Sequence, residues 1–481
     1  MFAGTALGLF VALNVAGSGP GLLAAGSLVA LVAARLLLAA APGSVAGIPR
    51  SLPFVFFCAG ALVFSASWSP QPFTDWVRWG IRESNVAIGL CLLTLGLIAA
   101  LIGTRTGDWL TRVLPPGRRW WPERSTWLIG VSLVCLAVGW MARAWAWWQG
   151  LYGFWVDAYG VDFTLHSGRF VTMLLAFRSL ADIGQTGLCL VLLRAGRSRR
   201  SEPEARTGRA LLGLVLILSL AADLILRLQS ASRGGFLLGF VPLLATAYMF
   251  GYSRRVRWAL VAGSLAYAAG LFSFFSAMRV GGDYRSDIES GRVYVPSVAS
   301  IFEPAGTRVD SIEGAFSRLN QASVLGAAVQ AADRGVPPLL EVNYVAALAT
   351  LVPRVVAQGR DDEQISYDAY TNLPSATGFY NNWGLISESV VNFGFAGALL
   401  VPFIVGLVWQ VVFIRLLDHG PSFGWCLAAT LWLPSVLHCG EYAFLPGVLS
   451  PLKIMLGLTL FLMALVVLLE GVLAARRIRW D

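Results

Sequence analysis

Arg233 lies in a short polar stretch, Gln229-Ser230-Ala231-Ser232-Arg233-Gly234-Gly235, between apolar runs at roughly 210–226 and 236–252. Each flanking run is about as long as a helix needs to cross a bilayer, so the polar stretch belongs at a membrane face. A guanidinium at that depth is costly without a partner or a ligand, and Arg227 brings a second one to nearly the same level. Together they suit a planar or phosphate-bearing anion at the membrane surface. The plainer account is snorkelling, which places many arginines near helix ends.

A second stretch, Asn372 to Gly394, runs from a turn-rich loop into an apolar segment. In it Tyr380, Asn381, Asn382 and Trp383 set aromatic rings beside amides. Sugar-binding surfaces use that combination, with rings on the apolar faces of a pyranose and amides reaching its hydroxyls. An interfacial aromatic belt with amides capping helix ends would read the same way. Glu388, followed one turn later by Asn392, falls at the mouth of the apolar segment. Its carboxylate could accept a proton from a sugar hydroxyl or pair with Arg233, and a purely structural ion pair serves equally. Arg279 leaves an apolar run directly and is expected at the membrane level of Arg233.

Other polar groups offer less. His438 and Glu441 are three apart and share a helix face, which suits a proton relay or a metal; no further ligands cluster around them, so no metal site is expected and Glu441 stays a binding candidate. Arg178, Asp182 and Gln185 fall in one apolar run and Asp223 in another. Arg178 and Asp182 are four apart and are expected to neutralise each other; an ion pathway is the alternative. Neither a P-loop, a dinucleotide fingerprint nor a GxSxG elbow occurs, so nucleotide hydrolysis, redox and serine-hydrolase chemistry lack support. No cofactor is expected.

The elements that must position these residues follow from composition. Of 481 residues, 57% are hydrophobic and 13% charged, with 18 Trp and a mean hydropathy of +0.68. Soluble domains carry about 25% charged residues, so this is a polytopic membrane protein. The net charge of +9 does not point to nucleic acid, because the arginines gather in short connections between apolar runs. The six cysteines fall in or at the ends of apolar runs without metal-site or disulfide spacing. Apolar runs at roughly 3–17, 21–41, 51–67, 84–103, 126–147, 170–193, 210–227, 235–252, 258–278, 388–414, 423–441 and 449–472 predict an all-α fold with about twelve transmembrane helices.

Orientation comes from the arginine-rich connections 104–125, 194–209 and 253–257 and from the tail Arg476-Arg477-Ile478-Arg479, which the positive-inside rule makes cytoplasmic. Both termini are then cytoplasmic, and the Arg233 hairpin and the segment 279–387 are external. That segment is too long for an ordinary connection and is expected to be a subdomain of short helices on the outer face. The chain thus divides into transmembrane helices over 1–278, an external loop over 279–387, and further helices with a tail over 388–481.

With about twelve spans, Ser232-Arg233-Gly234 before a span, one large external loop in the C-terminal half, and the Gly378-Phe379-Tyr380, Ser387-Glu388-Ser389 and Asn392-Phe393-Gly394 entry to the next span, the chain resembles bacterial oligosaccharide repeat-unit (O-antigen) polymerases of the Wzy type. The related O-antigen ligases are the neighbouring family. The resemblance implies a GT-C-like, metal-independent glycosyltransferase in the bacterial cytoplasmic membrane. Its donor would be an undecaprenyl-diphosphate-linked oligosaccharide, and its partners membrane lipid and other glycan-assembly and chain-length proteins. In this frame Arg233, Arg227 and Arg279 would stabilise the diphosphate leaving group and Glu388 would orient or deprotonate the acceptor hydroxyl. The Arg-x10-Gly pattern of some such polymerases is absent from 279–387. A transporter or flippase of lipid-linked glycan, with Arg178, Asp182 and Asp223 along its path, is the reading from another class.

Overall fold

The computed structural model describes residues 20–40, 43–45, 47–64, 80–115, 125–148, 177–197, 203–230, 233–251, 321–339, 384–419 and 421–439, with single positions and a few short runs elsewhere. Its helices, in chain order, are α1 (Pro20–Ala39), α2 (Leu52–Phe64), α3 (Glu83–Val113), α4 (Ser125–Trp148), α5 (Ser179–Arg197), α6 (Pro203–Ser230), α7 (Arg233–Phe250), α8 (Gln321–Asp333), α9 (Leu385–Phe393), α10 (Gly397–Asp418), α11 (Pro421–Leu427) and α12 (Leu433–His438). A small antiparallel hairpin, β1 (Ser44–Val45) with β2 (Ile48–Pro49), joins α1 to α2 and pairs Ser44 with Pro49 and Val45 with Ile48. The protein is mostly helical. Among the described residues, four helices are long and apolar enough to cross a membrane: Glu83–Val113, Thr126–Trp148, Thr207–Arg227 and the broken helix Leu385–Asp418. Shorter apolar helices lie at Ala24–Ala39, Leu52–Leu62, Val241–Phe250 and Ser422–Leu437.

Several helices run past the apolar runs that mark them in the sequence. Helix α3 continues through Val113, so Arg105, Asp108 and Arg112 sit on its last turns rather than in a loop. Arg and Thr sustain a helix wherever water or an ion partner meets their side chains, and at 31 residues α3 is about 46 Å long, well beyond the roughly 30 Å hydrocarbon layer. Likewise α5 ends at Arg197 and α6 starts at Pro203, where a missing N–H costs nothing. Helix α6 runs to Ser230 and α7 starts at Arg233, so the helices take up five of the seven polar residues.

The run at 388–414 is not one helix. It starts at Leu385, breaks in a 3-10 turn at Gly394–Ala396 and resumes as α10. Gly394 takes φ +64°, a left-handed conformation that favours glycine and sets the break at Asn392-Phe393-Gly394. The run at 423–441 is α11, a π turn at Ala428–Trp432 and α12.

Part of the long connection 279–387 is built into the core. Helix α8 is buried from Ala322 to Ala331 and packs beside the first turns of α3: a Cβ on Gly326 would meet Val86, and one on Gly89 would meet Leu325. Gln330 Oε1 accepts the Arg82 backbone N–H at 3.0 Å, and Leu339 N–H donates to the Val391 carbonyl at 3.1 Å. This helix lies between α3 and α9, with Ser323 and Gln330 buried among its apolar residues.

The central pair is α3 and α10, which run parallel: Gly96 faces Ala398, Gly103 faces Phe403 and Gly107 faces Gln410. Around them, Trp409, Trp425, Trp432, Phe57 and Phe413 fill a continuous core. The polar edges of two of them are satisfied locally, with Trp432 Nε1 donating to the Trp409 carbonyl at 3.1 Å and Trp425 Nε1 to Thr246 Oγ1 at 2.9 Å. Because lipid is as apolar as leucine, such helices hold together by close packing, which small residues permit. A Cβ on Gly103 would run into the Phe403 carbonyl. Gly103→Ala is therefore expected to destabilise the folded protein by about 1–3 kcal/mol, read as a lower midpoint of thermal unfolding in detergent. Gly130→Ala, on α4 with open space around it, is the control and should leave the midpoint unchanged.

Candidate functional site

Contacts between helices fix which ends lie together. Arg194 near the end of α5 donates to Ser422 Oγ at 2.5 Å and lies 5.6 Å over the Phe250 ring, while Arg50 just before α2 bonds Asp108 late in α3 at 2.8 Å. Gly60 late in α2 abuts the Leu437 carbonyl, and Leu385 N–H donates to the Cys439 carbonyl at 2.9 Å. One end of the bundle therefore carries the start of α5, the hairpin between α6 and α7, the start of α9 and the end of α12. The residues singled out as chemical candidates by sequence belong to this end wherever they are described.

A closed ring of four charges is the densest feature there. Arg143 of α4 donates to Asp182 Oδ1 of α5 at 2.8 Å and to Asp223 Oδ1 of α6. Arg227, one turn beyond Asp223, donates through Nη2 to Asp182 Oδ1 at 2.9 Å and through Nε to Asp223 Oδ2 at 2.7 Å. Two guanidinium groups and two carboxylates alternate, so the ring is neutral and its four members draw the ends of three helices together. The side chains of Arg143 and Asp223 are only 4% and 5% exposed, a depth at which a single charge would not be tolerated.

The local sequence makes this ring possible. Gly139, one turn before Arg143, has no room for a side chain because the Ala181 backbone lies against it, and this close approach brings α4 within reach of Asp182. Ser219, Asp223 and Arg227 recur every four residues and line the inner face of α6, while Leu211, Leu214, Leu218 and Ile225 are exposed. The helix turns its polar stripe inward and its apolar residues outward, the arrangement of a helix in lipid. Beside the ring, Ser219 Oγ accepts from Trp140 Nε1 at 2.8 Å and from Gln185 Nε2 at 2.9 Å, and the Trp140 ring lies 5.2 Å from the Arg143 guanidinium carbon. The Arg227 guanidinium in turn lies against Gly239 of α7, where a Cβ would collide with it.

The expected Arg178 and Asp182 pair is replaced by this arrangement. Arg178 precedes the first residue of α5, so the one-turn spacing rule does not govern it; it adds to the field on Asp182, whose bonded partners are Arg143 and Arg227. Arg227, read from sequence as an anion-holding group, has two donors on carboxylates. Arg143 was not among the sequence candidates, although a lone arginine within the apolar run 126–147 calls for buried carboxylates, and Asp182 and Asp223 were the ones available.

Glu388 is the second centre. It is 3% exposed on α9, with Ser387, Ser389 and Asn392 also buried around it. Asn392 Nδ2 donates to the Glu388 carbonyl at 2.9 Å, which uses the amide within the helix just before the break at Gly394. The Cys439 thiol lies within electrostatic reach of the Glu388 carboxylate. The side chain thus occupies the junction of α9 with the end of α12, beside α8.

Of the remaining candidates, Arg233 opens α7, and its side chain lies outside the described part of the structure, as do Arg279, Tyr380, Asn381, Asn382, Trp383 and Glu441 entirely. At the opposite end of the bundle, Asp108 takes both Arg50 at 2.8 Å and Arg112 at 2.5 Å, and Arg415 donates to the Pro115 carbonyl at 2.9 Å. No protein-family model matches the chain, and neither a curated protein nor a solved structure does.

Proposed function

We propose that the protein is a polysaccharide polymerase that joins undecaprenyl-diphosphate-linked oligosaccharide units on the outer face of the bacterial cytoplasmic membrane. The observation that carries this reading is Glu388: a carboxylate 3% exposed, at the start of a broken helix, at the same end of the bundle as the backbone of Arg233. Glu388 activates the acceptor hydroxyl, and Arg233 stabilises the charge that grows on the departing diphosphate. The resemblance of Ser232-Arg233-Gly234 and Glu388 through Gly394 to the Wzy-type polymerases supports the same assignment, with about twelve spans in a GT-C-like layout and both termini cytoplasmic. Orientation is supported by Arg105, Arg112, Arg194 and Arg415, which gather at the end of the bundle opposite Glu388. The related ligase reaction uses the same donor and differs in acceptor.

The ring bears on the alternative of a transporter. Asp182 and Asp223 are bonded to Arg143 and Arg227, so the carboxylates that a pathway would use are engaged in holding helices together. Arg233→Ala is expected to shorten the ladder of glycan chains in cells, with loss of about 2.7–4 kcal/mol of charge stabilisation, roughly 10²–10³ in rate. A ladder of wild-type length in both Arg233→Ala and Glu388→Gln cells would remove the proposal. Loss of lipid-linked glycan export on changing Asp182, with glycan length unaffected, would favour the transporter.

A further inference from the structure

We infer that Arg227 is a positioning residue, and that the four-charge ring sets the place at which the chain reverses direction and Arg233 begins α7. The inference rests on the reading of Arg233 as the diphosphate-holding group. Arg227 is three residues from the end of α6, and its Nε and Nη2 are held by carboxylates from two helices, Asp223 of α6 and Asp182 of α5. Asp223 and Asp182 are in turn held by Arg143 of α4. The end of α6 is thereby tied to α4 through Asp223 and Arg143 and to α5 through Arg227 and Asp182, with two residues left before Arg233. On the far side of the hairpin, Gly239 lies against the same guanidinium. One side chain therefore locates both helices that flank the turn: α6 carries it and α7 packs on it. Apolar packing of α6 on α4 and α5 centres on Leu212, Val215, Leu216 and Leu220, ahead of its last turns, and its outward face is exposed along most of its length.

A guanidinium can bond two carboxylates in fixed directions, and an ammonium cannot. Arg227→Lys keeps the charge and loses this geometry; Gly239→Ala keeps every ring member and displaces the guanidinium. The test is a nitroxide on Ser232→Cys in the full chain with Cys91→Ser, since Cys91 is exposed while Cys58, Cys135, Cys426 and Cys439 are buried and Cys189 is half-buried. In both variants the nitroxide is expected to gain mobility by about twofold or more and long glycan chains to fall about tenfold or more, at unchanged recovery of folded protein. Arg233→Ala should shorten the glycan with no change in nitroxide mobility. Unchanged mobility in both Arg227→Lys and Gly239→Ala overturns the positioning role, whatever the glycan does. Raised mobility with full-length glycan supports the positioning of the hairpin and overturns the functional reading on which its purpose rests.

Discussion

Arg143→Met is expected to destabilise the folded protein by about 3–5 kcal/mol, the cost of leaving a buried charge without its partner. The substitution keeps most of the side-chain volume, so packing changes little and the loss is electrostatic. Without Arg143, Asp182 and Asp223 retain Arg227 as a bonded partner and the ring carries a net negative charge in a region shielded from water. The measurement is the yield of monodisperse protein in detergent together with its thermal midpoint. Asp223→Asn alone should also destabilise, since it leaves an excess of positive charge. Combined with Arg143→Met it restores neutrality, with Arg227 and Asp182 still paired, so the double variant should be more stable than the sum of the two losses predicts. Strict additivity of the two changes would mean that the bond between Arg143 and Asp223 carries no coupling energy, and the ring would lose its role in holding α4 to α6.

Glu388→Gln should lower glycan chain growth by about 10²–10⁴-fold, the usual contribution of a positioned general base. Glutamine has the same shape and can still hydrogen-bond, so the α9 junction with Cys439 should persist and the protein should accumulate normally. Loss of activity with normal accumulation separates a chemical role from a structural one. Glu388→Asp retracts the carboxylate by one methylene and should fall between wild type and glutamine. Polymer formed per folded molecule is the quantity to compare, by gel ladder against the amount of protein in the membrane fraction. Chain growth within twofold of wild type in Glu388→Gln cells would assign the carboxylate to a purely structural pair.

What the sequence disclosed and what it hid have separate physical causes. Apolar runs of membrane length located α4 and α6, because burial in lipid imposes a long uninterrupted apolar stretch that few other environments require. Helix ends were less legible: Arg105, Asp108 and Arg112 look like loop residues by charge, yet Asp108 is neutralised by Arg50 from a connection 58 residues earlier. The break at Gly394 was hidden for the reason that the apolar content continues across it and the departure is confined to the backbone of Phe393 and Gly394. At the site, the positions of Asp182, Asp223 and Arg227 within or beside apolar runs were visible as costly charges. Asp223 and Arg227 are four apart and their pairing was open to local spacing, but the bonds of Arg143 and of Arg227 to Asp182 join α4, α5 and α6 across 39 to 80 residues, while local spacing offered Asp182 the nearby Arg178. Burial of α8 was likewise invisible from its length of 13 residues, too short to announce itself as part of the bundle.

The neutrality of the ring is reached only after three helices have been synthesised. During biosynthesis Arg143 enters the membrane first, and its carboxylates follow 39 and 80 residues later. A charged residue costs at most about 2.5–3.5 kcal/mol on translocon scales, the value at a helix centre; Arg143 lies nearer the end of α4, so α4 begins as a mildly imperfect segment that the later ones correct. Helix α6 brings Asp223 together with Arg227, a pair one turn apart that cancels its own charge on entry. The order in which these charges leave the ribosome therefore couples the insertion of α4, α5 and α6 into one assembly event. A ribosome stalled between Asp182 and Asp223 should hold α4 in a state still accessible to the translocon, and release of α6 should draw all three helices into the bilayer together.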